Sequence, residues 1–174
     1  MPRFDMDSHD ALSPHIPDAQ TCNVLLAQVP PQVAAHSRAV QRLALEMCDA
    51  LAAHGVRLNR ALLSAAALLH DICRTEPNHA FAGAQKLRDL GYSEIADIVA
   101  VHHDWSGGPF DESALLYLAD KYVQGDQRVT LEERFERSRA KCHTEQALCA
   151  HDRRYRLALE AQQQYDLLIG EKQP

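Results

Sequence analysis

One apolar run that ends in a histidine and an aspartate constrains this chain more than any other segment. The residues of 61–69 are almost all small or aliphatic, and His70 and Asp71 follow directly. A helix that is apolar around most of its circumference is buried, and a carboxylate at its end is costly to bury without a partner for its charge. A divalent cation would be such a partner. The run therefore predicts a buried helix that carries two adjacent metal-ligand side chains.

Apolar residues recur at helical spacing along the rest of the chain. Val40, Leu43, Met47 and Leu51 mark one helical face, no segment alternates as a strand would, and there are only seven glycines. We predict an all-α fold: a single helical bundle of about seven to eight helices. The predicted boundaries are a lead-in over 1–17 that contributes little to the core, and one domain over 18–170, with core motifs in 30–130 and supporting helices in 131–169. The predicted helix N-caps are Asp18, Asn59, Ser93 and Asp111.

Charge and cysteine usage narrow the class of protein. The net charge is −6 and no block of lysines or arginines occurs, which argues against binding of long nucleic acid, although a small phosphorylated ligand is compatible. The five cysteines form no C-x-x-C pair and do not resemble a disulfide framework. No signal peptide or membrane-spanning run is recognisable. We expect a cytoplasmic protein with reduced thiols and no membrane partner.

Several of the ten histidines lie within apolar segments rather than on polar faces. His36 falls on the core-facing stripe of its predicted helix, and Asp120 lies within another apolar helix. Together with His70 and Asp71 they form a predicted first metal site, because imidazole beside carboxylate accommodates Fe, Mn, Mg, Co or Zn. Three further histidines could complete a second site in which Asp71 bridges two ions: His79, His102 and His103. Two ions can clamp the attacking and leaving oxygens of an in-line displacement, which favours hydrolysis of a phosphate ester.

The order H…HD…D resembles the pattern that gives the HD-domain metal-dependent phosphohydrolases their name. The segments that carry the resemblance are His36-Ser37-Arg38-Ala39-Val40, Leu68-Leu69-His70-Asp71-Ile72 and Leu118-Ala119-Asp120-Lys121, with two ligand segments of binuclear members between them, 79–84 and 99–103. The resemblance covers roughly residues 18 to 130 and is specific for the fold.

The resemblance implies a phosphohydrolase that cleaves a phosphate ester or anhydride of a nucleotide or another small phosphorylated metabolite through a metal-activated hydroxide. Asp71 is the expected catalytic residue, which holds the metal and orients the nucleophile. Arg74 and Lys121 are the expected substrate-binding cations, because each neighbours a predicted ligand. The activity is expected to be that of a phosphomonoesterase, a phosphodiesterase or a dinucleoside polyphosphate hydrolase, and a homodimer is compatible with the sequence.

Two local features bear on the substrate. Many members of the family have a lysine shortly after the HD pair, whereas Arg74 stands there in this chain. The double histidine is similar to that of the HD-GYP cyclic di-GMP phosphodiesterases, but residues 104–109 depart from their signature. Small HD hydrolases that split dinucleoside polyphosphates symmetrically, or remove phosphate from nucleotides, are closer in length and motif order.

Each predicted ligand also has a structural interpretation. His36 could be a hydrogen-bonded core residue, His70 could satisfy carbonyls at a helix end, and Asp120 could form an ion pair with Lys121. His79 could merely begin its helix, and Trp105 could either stack on a nucleobase or pack.

The alternative function is a non-catalytic HD module that senses nucleotides or serves as an adaptor with a structural metal, and a helical bundle with no site is the third hypothesis. The remaining histidines and cysteines without a partner pattern are interpreted as structural or surface residues: His54, His143, His151, Cys142 and Cys149.

Overall fold

Helices provide nearly all the regular structure of residues 15–170, which are the residues described by the structure, a computed structural model. Within that range eight helices and one short hairpin follow in order: α1 (Ala19–Leu26), α2 (Pro31–Ala53), α3 (Arg60–Leu69), α4 (His79–Asp89), α5 (Ser93–Val101), α6 (Glu112–Lys121), β1 (Val123–Gln124), β2 (Gln127–Arg128), α7 (Leu131–Arg139) and α8 (Glu145–Leu168). The predicted all-α class is confirmed. The antiparallel β1–β2 hairpin was not predicted, because strands of two residues are too short to show any periodicity.

Helix α3 lies at the centre of the bundle. It packs against α1, α2, α5 and α6, and the side chains of Leu63, Ala66, Ala67 and Leu69 are completely buried. Small residues on a helix allow neighbouring backbones to approach from several sides, which explains why an alanine-rich segment occupies this position. The C-terminal end of α3 consequently brings His70 into the interior.

Side-chain caps begin three of the four helices for which they were predicted. Asp18, Asn59 and Asp111 each accept a hydrogen bond from a backbone N–H in the first turn of the helix that follows. The prediction for Ser93 is wrong: Tyr92 occupies the N-cap position of α5, and Ser93 is the first helical residue. The helix itself begins where it was predicted.

The predicted lead-in lies mostly outside the described residues, which begin at residue 15. Ile16 nevertheless belongs to the hydrophobic core, with 7% of its surface exposed. A single apolar residue between prolines has no periodicity that would reveal its burial from sequence. The core therefore begins before the predicted boundary at residue 18.

The C-terminal helices support the bundle on one side. Helix α8 packs against α6 and α7, and the hydroxyl of Tyr117 on α6 donates a 2.7 Å hydrogen bond to the carbonyl of Arg154 on α8. A capping box of Thr130 and Glu133 begins α7. None of the helices in residues 15–170, α8 included, is long and apolar enough to cross a membrane.

Candidate metal centre

Five helices bring the predicted ligands to one place. His36 lies in α2 and Asp120 in the last turn of α6, whereas the others lie at helix ends: His70 and Asp71 after α3, His79 at the start of α4, and His102 and His103 after α5. Helix ends position side chains without interrupting the packing of the helix bodies. The structure brings together all seven side chains that the sequence pattern had singled out as ligands.

Two groups of side chains, which share Asp71, are each compact enough to hold an ion. The first consists of His36, His70 and Asp71, and the second of Asp71 with three histidines, at the start of α4 and after the end of α5: His79, His102 and His103. Within each group, one ligand atom per residue lies within 4.8 Å of all the others. Asp71 belongs to both groups, and its bridging role stays a prediction.

The first group is bordered by Asp120. Oδ1 of Asp120 lies 3.0 Å from Nε2 of His36 and 3.7 Å from Nε2 of His70, while its Oδ2 pairs with the ammonium of Lys121 at 2.6 Å. The ion pair that was considered as an alternative for Asp120 therefore exists, but it occupies the oxygen that faces away from the imidazoles. Asp120 can serve as a ligand and keep its pairing with Lys121.

The second group contains three short distances between ligand atoms. Oδ1 of Asp71 lies 3.3 Å from Nε2 of His79 and 3.5 Å from Nε2 of His102, and the Nε2 atoms of His79 and His103 are 2.6 Å apart. Adjacent histidines on a regular helix would diverge, but α5 ends at Val101, so both imidazoles of the pair can face the same group.

Backbone carbonyls fix the orientation of three imidazoles. Nδ1 of His36 lies 2.7 Å from the carbonyl of Gly125, Nδ1 of His70 lies 2.8 Å from that of Ala67, and Nδ1 of His102 makes a 2.6 Å contact of the same kind with the last turn of α5. A carbonyl can only accept, so each of these Nδ1 atoms carries a proton, and Nε2 is the nitrogen that faces the carboxylates. An imidazole with its proton on Nδ1 can bind a metal ion through Nε2.

Three buried polar atoms in the centre have no hydrogen-bond partner among the residues that the structure describes: Nε2 of His70, Oδ1 of Asp71 and Nε2 of His102. Each belongs to a residue with at most 6% of its surface exposed. Leaving a buried donor or acceptor unsatisfied costs roughly 1–3 kcal/mol. One divalent cation in each of the two groups would satisfy all three atoms, so the donor set fits such ions.

The charges of the centre favour ionised carboxylates. Burial acts to raise the pKa of Asp71, but the imidazoles of His102 and His79 outweigh it and hold that pKa below its ordinary value. Burial likewise opposes ionisation of Asp120, yet the Lys121 ammonium and two imidazoles keep its pKa well below the usual range. Ionised carboxylates are the form that binds metal.

The pKa values of three histidines shift in different directions. Burial lowers the pKa of His102, and burial together with the Lys121 charge lowers the pKa of His103 to about 2, so both are neutral. For His70, burial is outweighed by Asp120 and Asp71, which raise its pKa. The two carboxylates thus favour a positive charge at His70, and a bound cation would supply that charge instead.

Two cations predicted to bind substrate have different surroundings. Arg74 is 46% exposed in its side chain, with its guanidinium 3.6 Å from Asp71 and 3.0 Å from a ring nitrogen of His79. Lys121 is 5% exposed and is engaged by Asp120 and, at 3.4 Å, by the carbonyl of His102. Arg74 can reach a ligand in solution, whereas the substrate-binding role of Lys121 remains a prediction.

A cavity of about 230 Å³ opens onto the centre, and its charged lining includes His36, Asp71, Asp120, Arg74 and Arg134. Arg134 on α7 was not predicted as a site residue. Its helix, LEERFERSR, is densely charged, so nothing in the sequence separates this arginine from its neighbours. By contrast, Trp105 is 4% exposed and packs against Tyr117, which agrees with the packing alternative.

Fold and site together define an all-α protein whose helix ends surround a buried cluster of histidines and aspartates. The family model described as HD domain matches residues 33–125, more than half of the chain, and the chain belongs to this family. HD domains bind divalent metal ions, and the family suggests the metal-dependent phosphohydrolase superfamily.

Two relatives are similar over part of their length. A tRNA (cytidine(56)-2'-O)-methyltransferase of Picrophilus torridus is 30% identical over 119 residues, which are 66% of this chain and 33% of that protein. An uncharacterized protein of Methanocaldococcus jannaschii is 33% identical over 106 residues, 59% of this chain and 60% of the relative. The chain thus spans about a third and three fifths of these relatives. No solved structure gave a significant match.

Proposed function

We propose that this protein is a metal-dependent phosphohydrolase that cleaves the phosphate ester or anhydride of a nucleotide or another small phosphorylated metabolite. The observation that carries the proposal is the pair of ligand groups sharing Asp71, with three buried donor and acceptor atoms unsatisfied. Such a constellation in an HD domain is better suited to binding cations than to supporting a core.

The proposed residue roles follow from the contacts. His36, His70, Asp71 and Asp120 would hold one ion, and Asp71 would share a second with His79, His102 and His103. When bound, divalent ions activate water and offset charge on phosphoryl oxygens. The carbonyl of Gly125 keeps His36 in the ligating tautomer, and Lys121 keeps Asp120 ionised.

Arg74 is the proposed contact for the phosphate. Its guanidinium lines the cavity at the centre and also a neighbouring cavity of about 450 Å³, and it presents several N–H donors in one plane. A lysine at this position would offer a point charge, whereas arginine can form two parallel hydrogen bonds with phosphoryl oxygens. Arg74 carries the charge that a phosphate requires, and it lines the same cavity as Asp71, so it can contact a ligand bound there.

The test combines metal analysis with turnover. Protein purified without oxygen is analysed for metals, and phosphate release is measured with Mn²⁺, Fe²⁺, Co²⁺ and Mg²⁺ on nucleoside monophosphates, dinucleoside polyphosphates and p-nitrophenyl phosphate. Asp71→Ala should abolish both metal retention and turnover, whereas Asp89→Ala, an exposed aspartate at the end of α4, should change neither.

Two results would count against the enzyme. A wild-type protein that contains no stoichiometric metal and releases no phosphate with any of these ions would refute the proposal. Saturable nucleotide binding by the metal-loaded protein, without product over hours, would instead support a non-catalytic sensing module.

A further inference from the structure

A third cavity adjoins the metal centre on the side of the C-terminal helices. This cavity, of about 270 Å³, is lined on α7, on α8 and between them by Phe135, Ser138, Cys142, Ala147, Ala150 and His151, and we call it the α7–α8 pocket. His103 and Arg134 line both this pocket and the cavity at the centre. A ligand held at the centre can therefore extend into the pocket.

Polar side chains in the α7–α8 pocket are already engaged by the protein. The Ser138 hydroxyl donates to the carbonyl of Phe135 at 3.1 Å, and Nε2 of His151 lies 2.8 Å from the same carbonyl. The thiol of Cys142 contacts the carbonyl of Ser138, and the Lys121 ammonium pairs with Asp120. What the pocket offers a ligand is mainly the carbon surface of Phe135 and of two alanines on one face of α8.

Arg134 differs from the other arginines around the centre. The guanidinium of Arg154 is bound by both oxygens of Asp104, at 2.9 and 3.0 Å, and that of Arg74 lies 3.6 Å from Asp71. The Nε of Arg134 is buried and has no hydrogen-bond partner among residues 15–170 that the structure describes. An unsatisfied guanidinium nitrogen between two cavities is suited to an anionic oxygen at their junction.

We infer that the α7–α8 pocket binds the organic part of the substrate, a compact apolar or aromatic group, while Arg134 joins Arg74 in binding its phosphate at the junction with the metal centre. The inference rests on the proposed phosphohydrolase function and deepens it, because it selects phosphate compounds with an apolar, ring-sized substituent over those with a small or strongly polar one. Burial of a ring against Phe135 and the alanines supplies the selectivity, and Arg134 supplies affinity for every phosphate.

Two phosphonates that cannot be hydrolysed test whether the α7–α8 pocket binds the organic group separately from the phosphate. Binding of methylphosphonate and phenylphosphonate to the Mn²⁺-loaded full chain is measured by isothermal titration calorimetry. The wild type should bind phenylphosphonate about tenfold more tightly, the factor expected when roughly half of a phenyl ring's transfer free energy is recovered. Equal dissociation constants for the two compounds would overturn the inference.

Variants distinguish the contribution of the α7–α8 pocket to binding from that of the Arg134 charge. Ala150→Phe fills the pocket from α8 and should remove the preference for phenylphosphonate while leaving methylphosphonate binding unchanged. Gln163→Phe adds the same ring at an exposed position of α8 and should behave as the wild type. Arg134→Gln should weaken both phosphonates by the same factor, and wild-type affinity in this variant would overturn the role of Arg134. If Ala150→Phe does not fold, Ala147→Leu, one turn earlier on the same face, replaces it.

The outcomes distinguish this inference from the proposed function. A protein that hydrolyses phosphate esters but binds both phosphonates equally retains the proposed function and loses the pocket assignment. A protein that binds neither phosphonate and cleaves no ester refutes both. Retention of the phenyl preference in Ala150→Phe, with its thermal midpoint unchanged, also overturns the pocket assignment.

Discussion

Oδ1 of Asp71 faces Nε2 of His102 at 3.5 Å, and neither buried atom has a hydrogen-bond partner in the described part of the chain. The two atoms come from different helix ends, after α3 and after α5, so their approach depends on the packing of the whole bundle. Two unsatisfied buried groups lower the stability of the folded chain, and a cation bound between the ligands would remove that cost. Metal binding should therefore raise the free energy of unfolding.

We predict that Mn²⁺ raises the thermal midpoint of the wild-type protein. A ligand that binds only the folded chain stabilises it by about 2.7 kcal/mol at a hundredfold excess over Kd, which corresponds to roughly 5–10 °C for a chain of this size. Differential scanning calorimetry with and without chelator measures the shift. Asp71→Asn should remove the response, Asp89→Asn should retain it, and a wild type unresponsive to every divalent ion would contradict the prediction.

The Lys121–Asp120 ion pair should contribute strongly to stability because both side chains are almost fully buried. Lys121→Met leaves a buried carboxylate without its cation, which should lower the free energy of unfolding by about 3–5 kcal/mol. Urea denaturation without added metal measures the loss. Arg60→Met, which breaks an exposed pair with Asp49, should cost at most about 1 kcal/mol.

A double variant distinguishes this explanation from a loss of packing. Asp120→Asn removes the charge that Lys121 compensates, so Lys121→Met should cost less in that background than in the wild type. Equal costs in the two backgrounds would show that the lysine acts through its alkyl chain alone.

The clustering of the predicted ligand side chains could be anticipated from sequence because several of them interrupt a strong pattern. His36 breaks an apolar stripe and His70-Asp71 ends an apolar helix, so a polar residue at either place needs a reason. Arg134 shows the limit of such reasoning: a charged residue on a charged helix has no pattern to violate, and only the packing of α7 places it at the cavity. The contact between the Gly125 carbonyl and His36 could not be predicted either, because the strands of its hairpin have only two residues each and show no sequence pattern.

Close packing of α4 should control the second ligand group. A Cβ placed on Gly83 would lie 3.3 Å from Cγ2 of Ile72 and 3.5 Å from Cγ1 of Val99, so α4 has no room for a branched side chain there. Gly83→Val should displace α4 and, with it, His79 one turn earlier, at a cost of about 1–3 kcal/mol in stability. Urea denaturation and metal analysis should show a destabilised protein with fewer bound ions.

The matched control for this variant is Gln85→Val, which places the same side chain on the exposed face of α4. It should keep the wild-type metal content and lose only a few tenths of a kcal/mol through helix propensity. If Gly83→Val retains the full metal content of the wild type, the position of α4 does not govern the second group.

The cysteines should differ sharply in reactivity. Burial, reinforced by the charge of Asp18, raises the pKa of the Cys22 thiol to about 11, whereas Cys149 is exposed. Because the thiolate is the reactive form, iodoacetamide at pH 8 should label Cys149 within minutes and leave Cys22 unmodified in the folded protein.

Mass spectrometry of the digested protein measures the labelling of both residues over time, and labelling in urea serves as the control in which both react. The raised pKa also makes the free energy of unfolding depend on pH, because the folded chain holds the Cys22 proton at pH values where the unfolded chain has lost it. The contribution of Cys22 to the free energy of unfolding is fully present below about pH 9 and declines as the pH rises towards 11. Cys22→Ala should flatten that part of the stability profile, and rapid labelling of Cys22 at pH 8 without urea would show that the α1 packing around it opens readily.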